Sequence, residues 1–398
     1  MRFLTAKVFV LNMAVCAILQ VYTCGAVSAA GRLDDALRVS SATVGVFALP
    51  DPDLRRLRAL TDDTGMFEFA DGLVPSRENG YCTEDVARAL VAVLIYNRQA
   101  KPGDTAAAPL AKIYMNYLAR AQKKDGDFYH RMDYKRHSSG QATEDSYGRA
   151  LWGLGYAAAY PVDEASGVAA GGMFKKALPR ARQLKWPRSI AYSMLGLHYY
   201  LARFPEDAGA RTLMKTLADR LMVMYKKQSS NDWPWFEPIL TYDNAKLPHA
   251  LFLAYEDLKS AQYLDTAVKT LDFLIKVNFP QGNMLRIVGN KGWYPKGGKP
   301  ALYDQQPTDA ASMAEACATA YRVTGLAVYK DRALNSFEWF LGNNISGKPI
   351  YDAATGGSRD GLKESEINNN EGAESSIMFV IAHLTLLEII PRQTGNDR

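Results

Sequence analysis

The sequence predicts an all-α protein, a closed double ring of six inner and six outer helices. Three observations lead there. Segments apolar nearly all round alternate with segments whose apolar residues recur every three or four positions, with Lys or Arg on the opposite face. The apolar segments begin alike, with a capping residue, a carboxylate or a proline ahead of an Ala- and Leu-rich run. Six such starts occur, near residues 83, 143, 187, 242, 308 and 373.

Taken in chain order, the first element is a leader. Arg2 and Lys7 flank its start, an apolar stretch covers residues 8–21, and Ala26-Val27-Ser28-Ala29-Ala30 supplies small residues for cleavage. Asn12 and Gln20 interrupt the apolar stretch, which is short for a membrane anchor. Val21-Tyr22-Thr23 is a poor lead-in for lipid attachment at Cys24. We therefore expect a signal peptide at 1–29, an extension at 30–50, one catalytic-size domain at 51–392 and a frayed tail at 393–398. Export to the periplasm or beyond follows, with no stable membrane insertion after cleavage.

The inner helices follow. Thr83-Glu84-Asp85-Val86-Ala87-Arg88-Ala89-Leu90 recurs loosely as Thr143-Glu144-Asp145-Ser146-Tyr147-Gly148-Arg149-Ala150-Leu151. Each begins with a Thr able to cap a helix and two carboxylates that oppose the helix dipole. Further starts are Trp186-Pro187, Thr241-Tyr242-Asp243-Asn244, Pro307-Thr308-Asp309 and Gly372-Ala373-Glu374-Ser375. Outer helices are expected at 106–123, 166–183, 208–227, 260–278 and 327–342, with a sixth at 51–60 closing the ring. Two segments fall outside the pattern. Residues 127–140 are polar and basic, and residues 282–303 form a Gly/Lys-rich insertion able to make a small hairpin. Both read as loops on one rim.

Composition narrows the function. The formal charge is +5, about +3 without the leader's Arg2 and Lys7, which is no nucleic-acid footprint. Beyond the leader only Cys82 and Cys317 remain, neither a disulfide framework nor a metal quartet. Two buried free thiols are expected, with a single bridge as the alternative. No His/Glu spacing fits a zinc motif, no Gly-Lys-Ser/Thr loop ends the Gly-rich stretch, and no Gly-x-Ser-x-Gly elbow occurs. No metal or cofactor is expected.

What remains is the placing of carboxylates. If the inner helices run parallel, Glu84, Asp85, Glu144, Asp145, Asp243, Asp309 and Glu374 share one rim. Glycoside hydrolysis needs two such groups, one protonated and one ionised. For any single one, capping of its own helix is the simpler role, and Asp85 with Arg88 and Asp145 with Arg149 have helix ion-pair spacing. Trp233-Pro234-Trp235-Phe236-Glu237 reads as a sugar-stacking wall or as core packing, and the polar stretch 352–374 as a site loop.

These motifs, together with Gly80-Tyr81-Cys82, Tyr303-Asp304-Gln305-Gln306-Pro307 and Asn370-Glu371-Gly372, resemble a bacterial family of six-hairpin (α/α)6-toroid domains. Such domains are often attached to, or encoded beside, glycosyltransferases and glycan-processing enzymes. The resemblance spans residues 60–390. It departs where the family tends to show Thr-Asp-Asp-Asn and this chain has Thr83-Glu84-Asp85-Val86. Instead of the glycosyltransferase partner domain there is a leader, so the chain is expected to act alone on an exported or imported glycan.

The resemblance implies a glycoside hydrolase, inverting by analogy with other toroids. Candidate catalytic carboxylates are Asp85, Asp145, Asp243, Asp304, Glu371 and Glu374. Candidate sugar contacts are Tyr81, Glu84, Glu144, Trp235, Tyr242, Asn244, Gln305 and Arg359. The rivals are a polysaccharide lyase using the basic loop from His130 to His137, a sugar epimerase, and a glycan-binding toroid without chemistry.

Overall fold

The computed structural model describes residue 49 and residues 51–390. The expected leader, nearly all of the extension and the tail lie outside the described residues. Twelve α-helices build a double ring among them. The inner six are α2 (Thr83–Gln99), α4 (Glu144–Ala159), α6 (Pro187–Arg203), α8 (Lys246–Leu258), α10 (Pro307–Thr324) and α12 (Ala373–Ile389). The outer six are α1 (Arg55–Ala59), α3 (Ala107–Ala121), α5 (Glu164–Ala181), α7 (Ala208–Gln228), α9 (Ala261–Asn278) and α11 (Ala327–Glu338).

The expected alternation is present, and burial explains it. Every residue of α4 from Ser146 to Ala158 is buried, and every residue of α10 from Pro307 to Ala320. An inner helix touches both inner neighbours and an outer partner, so it needs apolar or small residues all round. By contrast α7 buries only one stripe, Ala210, Leu213, Met214, Leu217, Ala218, Leu221 and Met222. Each inner helix packs on the next, α12 packs on α2, and short α1 lies against α12, which closes the ring. The tightest approach is between α4 and α6. A Cβ added to Gly155 would lie 2.1 Å from the Gly196 carbonyl oxygen, so only glycine permits it.

Local signals set the helix ends. The Thr143 hydroxyl accepts the Ser146 N–H, and the Asp163 and Asp207 carboxylates cap α5 and α7 in the same way. Proline occupies the first position of α6 and of α10. Gly325, at φ 74°, ends α10 in the left-handed region.

Three expectations about the connections are corrected. Residues 127–140 are not a plain loop. After a short pair, β1 (Ala70–Asp71) with β2 (Val74–Pro75), comes β3 (Tyr81–Cys82), which joins a hairpin of β4 (Tyr129–Met132) with β5 (Ser138–Gln141) from this segment in a three-stranded sheet. The insertion at 282–303 forms no hairpin of its own. Its strand β7 (Tyr294–Pro295) pairs with β6 (Ile239–Leu240), while Leu285, Ile287 and Val288 are buried without strand pairing. The first outer helix is confined to five residues, 55–59. The polar stretch before α12 holds two small hairpins, β8 (Tyr351–Asp352) with β9 (Gly357–Ser358) and β10 (Gly361–Leu362) with β11 (Ile367–Asn368). Among the described residues, no helix is long and apolar enough to cross a membrane.

Candidate active site

All six inner helices point their N-terminal ends toward one cavity of about 640 Å³, within the usual range for ligand sites. Its lining comes from the starts of α2, α4, α6, α10 and α12, from the segment ahead of α8 and from β4. Because helix N-termini leave N–H groups unpaired and carry partial positive charge, carboxylates gather there at little cost. Tertiary packing then makes one site of what are separate capping positions in the chain.

Glu84, Glu144, Asp145, Glu237 and Glu374 supply five carboxylates to the lining, against the guanidiniums of Arg149 and Arg188. Arg149 Nη1 lies 3.1 Å from Glu84 Oε2 and 3.8 Å from Asp145 Oδ2. One nitrogen therefore holds two carboxylate oxygens no more than about 7 Å apart, a ceiling that excludes neither a retaining pair nor the short end of the inverting range. The other terminal nitrogen of Arg149 donates to Asp243 Oδ2 at 3.3 Å. Arg88, buried behind the rim, donates to Glu374 at 2.6 Å and to Asp85 at 2.6 Å. The acids and arginines thus alternate.

The electrostatics of Glu84 follow from that array. Burial pushes its carboxyl up, but Arg149, Arg88 and His130 outweigh burial and hold it below the usual value. Asp145 accepts the hydroxyl of Tyr242. Glu144 spends one oxygen, Oε2, on the backbone N–H groups of Lys185 and Trp186 at 2.7 and 3.1 Å, fastening α4 to the start of α6. Glu374 keeps an open carboxylate, 40% exposed. The Trp186 ring stands at the cavity with 64% of its surface exposed, an apolar face of the kind on which sugars stack.

Five of the residues anticipated from sequence, Glu84, Glu144, Asp145, Tyr242 and Glu374, line the cavity together. The others do not, and each has a structural reason. Asp85 is turned behind the rim against Arg88, and burial pushes its carboxyl up to about 7 despite that partner. Asp243 is wholly buried below the cavity, accepting from Tyr192 and Arg149. Its backbone is left-handed, φ 54°, a conformation that costs a non-glycine residue on the order of 1 kcal/mol or more. Asp304 pairs with Lys291 at 3.2 Å, outside the lining. Glu371 is buried against Arg56 at 3.5 Å and accepts the Thr355 hydroxyl, so it ties the hairpins to α1.

The anticipated sugar contacts divide similarly. Tyr81 is wholly buried, with its hydroxyl donated to Asp62 at 2.6 Å. Trp235 is wholly buried and packs on Phe236 and on Phe273 of α9, so the aromatic run is core and not a wall. Asn244 accepts from Arg188 at 2.9 Å. Gln305 is buried and accepts the Trp339 indole N–H at 3.0 Å. Arg359 pairs with Asp352 at 3.1 Å within its own hairpin.

Sequence reasoning missed Arg149, Arg188 and Trp186 as site residues, and reached Glu237 only as the end of the aromatic run. The arginines carried a signal, since Arg88 and Arg149 recur about one turn after the paired acids. His249 and His383 are buried away from the lining, whereas His130 of β4 faces it and meets Ser146 Oγ at 3.2 Å. Glu68, Cys82 and Asp85 place three ligand-type atoms within 4.8 Å of one another. Glu68 and Asp85 are each already paired with an arginine, and burial raises the Cys82 thiol well above its usual value, which keeps it protonated. The group fits an ion-pair cluster better than a metal. Cys82 and Cys317 are both buried and free.

No protein-family model matches the chain, and no curated protein matches it in sequence. Solved structures do share its fold. A sugar epimerase from a ruminal bacterium superposes with a TM-score of 0.66 at 11% identity, covering 86% of this chain and 97% of its own. A D-mannose isomerase gives 0.65 at 13% identity, covering 84% and 96%. A family 76 α-1,6-mannanase from a Salegentibacter species gives 0.58 at 11% identity, covering 84% and 98%. These neighbours are (α/α)6-toroid enzymes, and at such identities the likeness shows the fold.

Proposed function

We propose that this chain is a glycoside hydrolase acting on an oligosaccharide or polysaccharide. The observation that carries the reading is the bridging of Glu84 and Asp145 by one Arg149 nitrogen inside a cavity that also presents Glu374 and the open face of Trp186. Hydrolysis of a glycosidic bond needs an ionised carboxylate to activate water or attack carbon, and an acid to protonate the leaving oxygen. Glu84, held ionised by its arginines, is the base or nucleophile. The proton donor is drawn from Asp145 and Glu374, and inversion is the expected outcome. Trp186 orients the ring by stacking. The family 76 mannanase among the neighbours shows that this scaffold serves glycan cleavage elsewhere.

The test is reducing-sugar release from a panel of glycans, with Glu84→Gln, Asp145→Asn and Glu374→Gln variants. Loss of activity on the order of a hundredfold or more is expected for Glu84→Gln and for one of the other two. Full activity in all three variants would remove this site. Epimerisation is the second reading, favoured by His130 in the lining and by the epimerase among the neighbours. It predicts interconversion of free sugars with no bond cleaved.

A further inference from the structure

We infer that the cavity takes a glycan free of acidic groups, neutral or amino-bearing, and rejects uronate, sulfated and phosphorylated sugars. The inference rests on the glycan-cavity reading above and adds its substrate class. Its ground is that each guanidinium near the cavity is already committed to a carboxylate. Each of the three nitrogens of Arg188 already donates: Nε to the Tyr242 carbonyl, Nη1 to Glu237 at 2.8 Å and Nη2 to Asn244 at 2.9 Å. Arg149 is divided between Glu84 and Asp243, with Asp145 close by, and its remaining Nε is buried. Arg88 is divided between Asp85 and Glu374 and is only 1% exposed.

The carboxylates, in contrast, outnumber the arginines in the lining, five to two. Glu144 and Glu237 each use only Oε2 in their hydrogen bonds, and Glu374 is open to solvent. Thr308, which also lines the cavity, is nine-tenths buried with an unpartnered hydroxyl, a group suited to a sugar hydroxyl. An acidic sugar here would lose its hydration and meet several like charges, with only the His130 imidazole and the already paired guanidiniums of Arg149 and Arg188 in the lining to offset them. A neutral sugar meets only hydroxyl-binding groups, and an ammonium meets counter-charges. The chain as a whole is basic, with a formal charge of +5, so the acidity belongs to the cavity and not to the surface at large.

The experiment is calorimetric titration of the full chain with three oligosaccharides of equal length, built of glucosamine, mannose and galacturonate. We expect the glucosamine oligomer to bind at least as tightly as the mannose oligomer at low salt, and the galacturonate oligomer at least about tenfold more weakly than either. A galacturonate preference would overturn the inference and leave the hydrolase reading standing. Binding of none of the three would overturn the glycan cavity itself, and the inference with it. Glu237→Ala supplies a gain-of-function arm. Arg188 stays anchored by the Tyr242 carbonyl and Asn244 but loses its counter-charge, so galacturonate affinity relative to mannose should rise by about tenfold. No gain would overturn the inference at its ground, that carboxylate partners such as Glu237 withhold the arginines from anions.

Discussion

The backbone N–H of Asp243 donates to Asp309 Oδ1 at 2.6 Å, joining the starts of α8 and α10 directly below the cavity. Asp243 Oδ1 and Asp309 Oδ2 are both buried without a partner. Burial, reinforced by the charge of Asp243, raises the Asp309 carboxyl well above its usual value, so it is held neutral where an exposed aspartate is ionised.

That relationship fixes the sign of a pH effect. A folded-state value raised above the ordinary one gives stability that is full below the ordinary carboxylate range and is lost as pH rises through the raised value. Asp309→Asn keeps an oxygen for the Asp243 N–H and cannot ionise. We expect its Tm to decline less than that of the wild type as pH rises from the ordinary carboxylate range through that raised value, as measured by thermal melts across pH. Parallel profiles would refute the assignment.

Glu84 has the opposite sign. Arginines hold it below the usual value despite burial, so its ionised form persists until pH falls through that depressed value. The acid limb of kcat/KM should therefore lie below the range of an ordinary glutamate. Arg149→Met should move it upward, because one of the two arginines acting on Glu84 is removed.

Arg149→Met should also destabilise the fold. Its side chain is 5% exposed and neutralises Asp243, which is wholly buried, as well as Glu84. Removing one partner of a buried ion pair costs on the order of 3–5 kcal/mol. Chemical denaturation would measure this, and a change below about 1 kcal/mol would show the array to be solvated.

The two tryptophans should behave oppositely. Trp186 is 64% exposed at the cavity. Trp186→Ala should leave stability within about 0.5 kcal/mol and weaken glycan binding by about tenfold. Trp235 is wholly buried between Phe236 and Phe273, and Trp235→Ala should cost about 3–5 kcal/mol. Equal effects from both would contradict their placement.

Much of the ring was legible. The starts near 83, 143, 187, 308 and 373 lie within one residue of observed helix starts, because caps, prolines and first-turn acids are local signals. The start near 242 lies four residues early, since Asp243 adopts a left-handed turn that composition does not announce. The rim was half legible. Glu84 and Tyr242 were found, but their chain neighbours, Asp85 and Asp243, lie outside the lining. One residue along a helix turns a side chain by about 100°, and sequence gives no origin for that rotation.

The chain alone determined the alternation of buried and half-buried helices and the gathering of acids at inner-helix starts, because periodicity and capping act over a few residues. Tertiary structure decided which acids face the cavity, that Trp186 and not Trp235 is open, and that Arg88, Arg149 and Arg188 are engaged by their neighbours. Those outcomes depend on contacts between residues far apart in the chain, such as Arg149 with Asp243, and on the rotation of each helix about its own axis, which is set only when the ring closes.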